Sequence, residues 1–492
     1  MLKKQTVFII SLIVLLAVIL GGAVFPDFMR YVVPIVHEYV LGSFGWLYLL
    51  AAFFFLVFSI ILAFSRFGSI KLGGDNEKPQ YSYFGWLSML FAAGMGIGLI
   101  FWGVAEPLSH YLHPVEHIPA ISGEAAGFAM RYSFLHWGLH PWGIYIVMSL
   151  SLAYFTYRRG MPPLISSCFY PLLGEKIYGG WGYLIDILAV VSTIFGVATS
   201  LGLGAKQIHG GLNYLYGIPD TIQVTIIIIV IATVLFMLSS IIGLDKGIQF
   251  LSKSNMAVAG VLLLLVLFLG PMSHILSVFS STMGDYLNNI LHMSLQANPF
   301  EGYEWTKSWT LFYWAWWISW SPFVGVFISR ISRGRTIKEF IGGALIVPTL
   351  LTFFWFSVFG GTALHMQIHE GIEIASLAYQ EPELALFAML DYLPLGALLS
   401  LLSVILLAVF FVTSADSATF VLGMMTSRGS LTPPLSKKLT WGGIQSAVAI
   451  VLLFTGGLTA LQEMNISTAL PFSVVMILLC YNLYAALREE PT

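Results

Sequence analysis

The chain has 492 residues, of which 9% are charged and 58% hydrophobic, with a net charge of -2 and a mean hydropathy of +0.86. Soluble domains carry about 25% charged residues, so the composition excludes a soluble fold and points to an all-α integral membrane protein. The small net charge offers nothing to nucleic acid, and two cysteines, Cys168 and Cys480, are too few and too far apart in the chain for a disulfide framework or a cysteine metal site.

Apolar stretches of spanning length fall near residues 6–25, 45–64, 84–104, 134–155, 183–206, 222–243, 254–276, 309–329, 341–363, 394–426, 440–459 and 467–487, which predicts twelve transmembrane helices. The first follows Lys3 and Lys4 as a signal peptide would, but it is long, lacks a small-x-small cleavage site and leads into further spans, so it is kept as a helix. Residues 281–295 place Met283, Tyr286, Leu287, Ile290, Leu291 and Leu295 at helical spacing and predict a short interfacial helix on the outer side. All of the 22 basic residues except Arg30, Arg131, Lys206 and Lys307 fall on the side of the N-terminus, which puts both termini in the cytoplasm of a multi-pass plasma-membrane protein surrounded by lipid.

Two spans carry residues that interrupt helices. The third places Gly94, Gly96 and Gly98 at mid-membrane, and the eighth has Ser321, Pro322 and Gly325. One enters from the cytoplasm and the other from outside, the sequence signature of inverted repeats with a site between them. The expected organisation is two leading helices in 1–83, a first repeat of helices 3–7 in 84–280, the outer helix and linker in 281–307, and a second repeat of helices 8–12 in 308–492. Helix 5 carries Ser192, Thr193, Thr199 and Ser200, and helix 10 carries Thr413, Ser414, Ser417 and Thr419. A G-x-G string inside a spanning helix is no dinucleotide site. Close helix packing through small residues competes with unwound backbone whose carbonyls, with Thr and Ser hydroxyls, would ligate an alkali cation.

The eighth span reads WTLFYWAWWISWSPF over 309–323. Trp305, Trp309 and Tyr313 suit the headgroup belt, but about 1.5 Å per residue places Trp316, Trp317 and Trp320 roughly 12–18 Å deep, near the middle of a core of about 30 Å. Three indoles there point to a cage for a quaternary ammonium rather than to ordinary packing. Asp186 and Asp416 are the intramembrane acids; each could relay protons, and for Asp416 local hydrogen bonds or a basic partner at the cytoplasmic mouth are the expectation.

These segments resemble the betaine-choline-carnitine transporter family over nearly the whole chain, most specifically at GMGIGLIFWG (94–103), HWGLHPWGIY (136–145) and WAWWISWSPFVGVFISRISRGRT (314–336), with TSADS (413–417) in support. The resemblance implies the LeuT-like fold of amino-acid sodium symporters, alternating access and a homotrimer. It implies an aromatic box of Trp316, Trp317 and Trp320, with Trp137, Trp142 and Tyr145 as its other wall or entry path, beside Gly94, Gly96 and Gly98. It implies a sodium site of Ala92, Met95, Phe410, Thr413 and Ser414, and a second at Thr193 and Phe323, weakened because Val197 stands where the family has a hydroxyl. Glycine at position 98, where choline-preferring relatives have an acid, favours a zwitterion.

The expected function is therefore uptake of glycine betaine or a related trimethylammonium zwitterion, a compatible solute serving osmoprotection, with sodium as coupling ion and no cofactor. Proton-coupled choline uptake or sodium-independent carnitine and betaine transport is the alternative, a passive channel a weaker one. No metal cluster or nucleophile-base pair at membrane depth points to an enzyme.

Overall fold

The computed structural model describes residues 5–94, 96–115, 117–242, 245–300 and 302–490, the side chains of 91–94 and 245–252 excepted. Among them there is no β-strand, only an isolated bridge between Lys71 and Thr336. The long helices, in chain order, are α1 (Thr6–Val24), α2 (Pro26–Phe64), α3 (Tyr83–Gly94), α4 (Ile97–Leu112), α5 (Gly123–Trp137), α6 (Leu139–Ala153), α7 (Gly180–Tyr216), α8 (Ile222–Ile242), α9 (Asp245–Leu269), α10 (Met272–Leu295), α11 (Phe312–Ile331), α12 (Ile337–His369), α13 (Gly396–Met425) and α14 (Leu435–Arg488). Among the described residues, eight helical segments are long and apolar enough to cross a membrane, or nine if the bent pair formed by α9 and α10 is one span.

Several spans break where the hydropathy profile runs on. The stretch 134–155 is two helices meeting at Gly138, where a Cβ would lie 2.4 Å from the Phe134 carbonyl oxygen and 2.7 Å from the Phe353 ring. The stretch 254–276 likewise crosses a real break: α9 ends at Leu269, and Pro271, which has no N–H to continue the ladder, caps α10. The outer helix thus starts at Met272 rather than 281, and it turns away from the preceding helix by 110°. Helix α14 bends at Gly456 and Gly457, the latter at φ 66°, which divides it near the limits of the stretches 440–459 and 467–487.

The two interruptions read from glycine and proline turn out differently. Helices α3 and α4 are separate, with Gly96 in extended backbone at the start of α4. The aromatic helix α11, in contrast, runs through Pro322 unbroken. Pro322 cannot donate to the Ile318 carbonyl, but the Ser321 hydroxyl does so at 2.7 Å and replaces the missing bond. Irregularity sits before the start of α11 instead, in the π-turn Lys307–Leu311.

The aromatic helix is the centre of the molecule. The apolar window of Tyr303–Ile331 is 94% buried, against 17% for α1 and 28% for α8, which leaves the last two on the rim. Helix α11 packs on α6, α7 and α14, and α7 packs along α14 and α13. Polar contacts tie the C-terminal end and the loops: Arg158 bonds Glu490 at 2.7 Å and also meets Asp75, while Arg335 lies 4.3 Å over the Trp86 ring.

Candidate substrate and ion site

The expected aromatic residues converge. Trp316 and Trp317 stack at 4.9 Å and 13°, and Trp137, the last residue of α5, stands edge-on to Trp317 at 4.9 Å and to Trp316 at 6.2 Å. Tyr145 meets Trp317 at 6.1 Å, Trp142 reaches the group through Tyr145 at 5.7 Å, and Trp320 lies 6.4 Å from Trp316. Helical spacing on α11 places the three tryptophans, and the break at Gly138 turns Trp137 toward them. All six rings are buried.

Gly98 is where the backbone of α4 meets this cluster. A Cβ there would lie 2.6 Å from Trp316 and 2.9 Å from Trp137, so only glycine lets the helix approach the rings this closely. At Gly96 the nearest atom to a Cβ is 3.8 Å away, on Trp320. Gly94 ends α3; Met95 and the side chain of Ala92 lie outside the described residues.

Next to the rings is a small cavity of about 10 Å³ lined by Ile97, Val197, Ser200, Leu201, Trp320, Phe323 and Ser414. It brings together the start of α4, the hydroxyl-bearing faces of α7 and α13, and α11. Ser414 and Phe323 border it; Thr413 and Thr193 do not. Thr413 donates to the Val409 carbonyl at 2.8 Å and Thr193 to the Ala189 carbonyl at 2.7 Å, both bonding back along their own helices. Phe410 is buried on α13. Three polar atoms around the cluster, Trp316 Nε1, Trp320 Nε1 and the Tyr145 hydroxyl, are buried without a hydrogen-bond partner.

The residue that organises the cluster is one the sequence reading passed over. Glu106 is fully buried. Its Oε2 accepts from Trp137 Nε1 at 2.8 Å and from the Tyr313 hydroxyl at 2.6 Å; its Oε1 lies 2.6 Å from His136 Nδ1 and 3.2 Å from His110 Nε2. His136 Nε2 in turn meets Thr310 Oγ1 at 3.0 Å, and the His136 carbonyl accepts from Trp317 Nε1 at 2.9 Å. One carboxylate therefore orients Trp137 directly and Trp317 through His136. The signal was present in the sequence as an acid followed by proline, but the third span was ended at residue 104. In the structure α4 continues through Pro107 to Leu112, which carries Glu106 inside.

The other two acids are satisfied locally. Asp186 accepts from the Ser166 N–H at 3.0 Å and hydroxyl at 2.8 Å, and Asp416 accepts from the Ser240 hydroxyl. The Ser240 carbonyl accepts from Lys438 at 3.3 Å, which places a basic residue near Asp416.

Comparison with known proteins gives a consistent picture. A sequence profile of the BCCT, betaine/carnitine/choline family transporters, matches residues 6–492. The chain is 51% identical over 493 residues to the glycine betaine transporter OpuD of Bacillus subtilis, covering 100% of this chain and 96% of that one. It is 43% identical over 477 residues to the ectoine/hydroxyectoine transporter of Virgibacillus pantothenticus, covering 97% and 95%. It is 44% identical over 459 residues to glycine betaine transporter 1 of Vibrio parahaemolyticus, covering 92% and 87%.

Proposed function

The chain belongs to the betaine/carnitine/choline transporter family, which makes it a multi-pass membrane transporter of small solutes and not an enzyme, and from that premise we propose that it imports glycine betaine with sodium by alternating access. The observation that carries this reading is the meeting of Trp137, Trp316, Trp317 and Trp320 against the backbone of Gly98. Ring faces attract a trimethylammonium group, with about 0.5–2 kcal/mol per ring, and the close backbone leaves no place for an acid that would favour a plain cation.

The rings are packed on one another, and the adjoining cavity of about 10 Å³ has room for roughly one water. A trimethylammonium head thus enters only when Trp320 and the start of α4 move apart from Trp316. In our reading the amides at the start of α4 and the unpartnered indole N–H groups receive the substrate carboxylate, because a helix N-terminus favours an anion. Sodium binds beside them, where backbone around the α3–α4 break and the hydroxyls of Ser414 and Thr413 supply hard oxygen atoms. Binding the ion to one conformation and not the other would then raise betaine affinity on the outer side.

The same reading includes twelve spans in two inverted repeats, with both termini cytoplasmic. The bend of α14 at Gly456–Gly457 supports this count, because it falls near the boundary between the stretches 440–459 and 467–487. Trimer assembly rests on the family resemblance, and the exposed Leu287, Leu291 and Leu295 of α10 offer an apolar face for it. Ectoine is the second substrate reading, carried by the similarity to an ectoine/hydroxyectoine transporter. Titrating the purified protein with glycine betaine, ectoine and choline while following tryptophan fluorescence separates the three. Saturable quenching or enhancement by glycine betaine in sodium supports the proposal; a response to choline alone contradicts it.

A further inference from the structure

Outside the ring cluster, the described residues place two groups of metal-ligating side chains together. One is Glu106, His110 and His136, whose atoms are already hydrogen-bonded to one another and to Trp137, Tyr313 and Thr310. The other is His274, His365 and His369, which the transport reading does not use.

His365 and His369 are one helical turn apart near the end of α12, and His274 comes from the first turn of α10. The ring centroids are 4.7 Å (His274 to His365), 4.9 Å (His365 to His369) and 5.5 Å (His274 to His369) apart. One ring nitrogen from each lies within 4.8 Å of the others. His365 Nε2 is 3.5 Å from the carboxylate of Glu370, whereas His365 Nδ1 is buried and has no hydrogen-bond partner. A carboxylate on one side of an imidazole and a bare nitrogen on the other is how metal-binding histidines are held. His369 is exposed and His274 half-buried, so an ion has a path in. Three imidazoles this close would repel as cations and are stabilised by a shared cation when neutral.

We propose that His274, His365 and His369 form a site for a borderline divalent transition-metal ion, zinc fitting best, that ties α10 to α12 and slows transport when filled. Zinc takes three histidines and a water in a tetrahedral shell with nitrogen ligands at about 2.0–2.1 Å, a contraction that side-chain torsions at this partly open position supply. Both helix ends face the side that the basic residues assign to the exterior, so the ion would arrive from outside.

The clamp reaches the substrate site through α10. Asp285 of that helix bonds Arg131 at 2.7 Å, the Tyr286 hydroxyl accepts from the Leu139 N–H at 3.4 Å, and Ser294 Oγ lies 2.8 Å from His140 Nε2. These partners flank Gly138, the break that aims Trp137 at the rings. Fixing α10 on α12 therefore restrains α5 and α6, the helices that carry Trp137, Trp142 and Tyr145 into the ring cluster.

The test uses the full chain with any affinity tag removed. Zinc binding to the purified protein is measured by equilibrium dialysis, for wild type, His369→Ala and the double variant H274A/H365A. One ion per chain is expected, with each variant weakened at least about tenfold; no binding, or binding unchanged in both variants, overturns the site. Betaine uptake by cells is then measured with zinc added outside. Inhibition in wild type that is relieved in the variants supports the clamp, and equal uptake with and without zinc overturns it. The dialysis does not depend on what is transported, so failure of the metal site and failure of the transport reading are distinguishable.

Discussion

The indole of Trp137 donates to Glu106 Oε2 at 2.8 Å, so a wall of the aromatic cluster hangs from a buried carboxylate on a different helix. The same oxygen takes the Tyr313 hydroxyl, and the other oxygen holds His136, whose carbonyl fixes Trp317. Removing the carboxylate strands several buried polar groups at once, and each costs about 1–3 kcal/mol. Glu106→Ala is expected to lower the thermal unfolding temperature and to abolish uptake, while Glu106→Gln, which keeps one acceptor, retains the fold and loses most of the uptake. Unfolding in detergent with parallel uptake assays checks this; wild-type uptake in Glu106→Ala would remove Glu106 from the account.

Trp317 presents one face to Trp316 and is flanked by Trp137 and Tyr145. Trp317→Leu should raise the half-saturating betaine concentration by about 2- to 30-fold, the equivalent of one ring's contribution. Concentration-dependent uptake measures it, and an unchanged value would show that no cation sits on this ring.

Gly98 and Gly96 are two residues apart and make opposite demands. A Cβ at Gly98 runs into Trp316 at 2.6 Å and Trp137 at 2.9 Å, whereas at Gly96 the nearest atom is 3.8 Å off. Gly98→Ala should cut betaine uptake at least tenfold, about 1.4 kcal/mol or more, and Gly96→Ala should be much milder. Uptake by the two variants at matched expression decides it.

Much of this site was legible before the structure, and the reasons are physical. Indoles at mid-membrane are costly enough to be informative, so Trp316, Trp317 and Trp320 stood out from spacing alone. Glycines without room for a Cβ also left a trace in the third span. Two things were not legible. Hydropathy averages over a window, so it ran through the breaks at Gly138 and Pro271 and ended the third span before Glu106. Proline was read as an interruption at Pro322, where the Ser321 hydroxyl supplies the bond that proline removes. A serine one residue before the proline is visible in sequence, but its rotamer is not.

That compensation is itself testable. Ser321→Ala would leave the buried Ile318 carbonyl without a donor, a cost of about 1–3 kcal/mol. The variant should unfold at a lower temperature and show extra mobility in α11 by amide hydrogen exchange. Unchanged exchange in this helix would mean that Pro322 is accommodated in some other way.

The proposed transport is coupled and concentrative. Labelled glycine betaine accumulation in proteoliposomes is measured under an inward sodium gradient, with potassium replacing sodium as the control, for wild type and Ser414→Ala. Accumulation above the outside concentration is expected only with sodium, and Ser414→Ala should need a higher sodium concentration. Equal accumulation with potassium, or mere equilibration without concentration, would contradict the proposal.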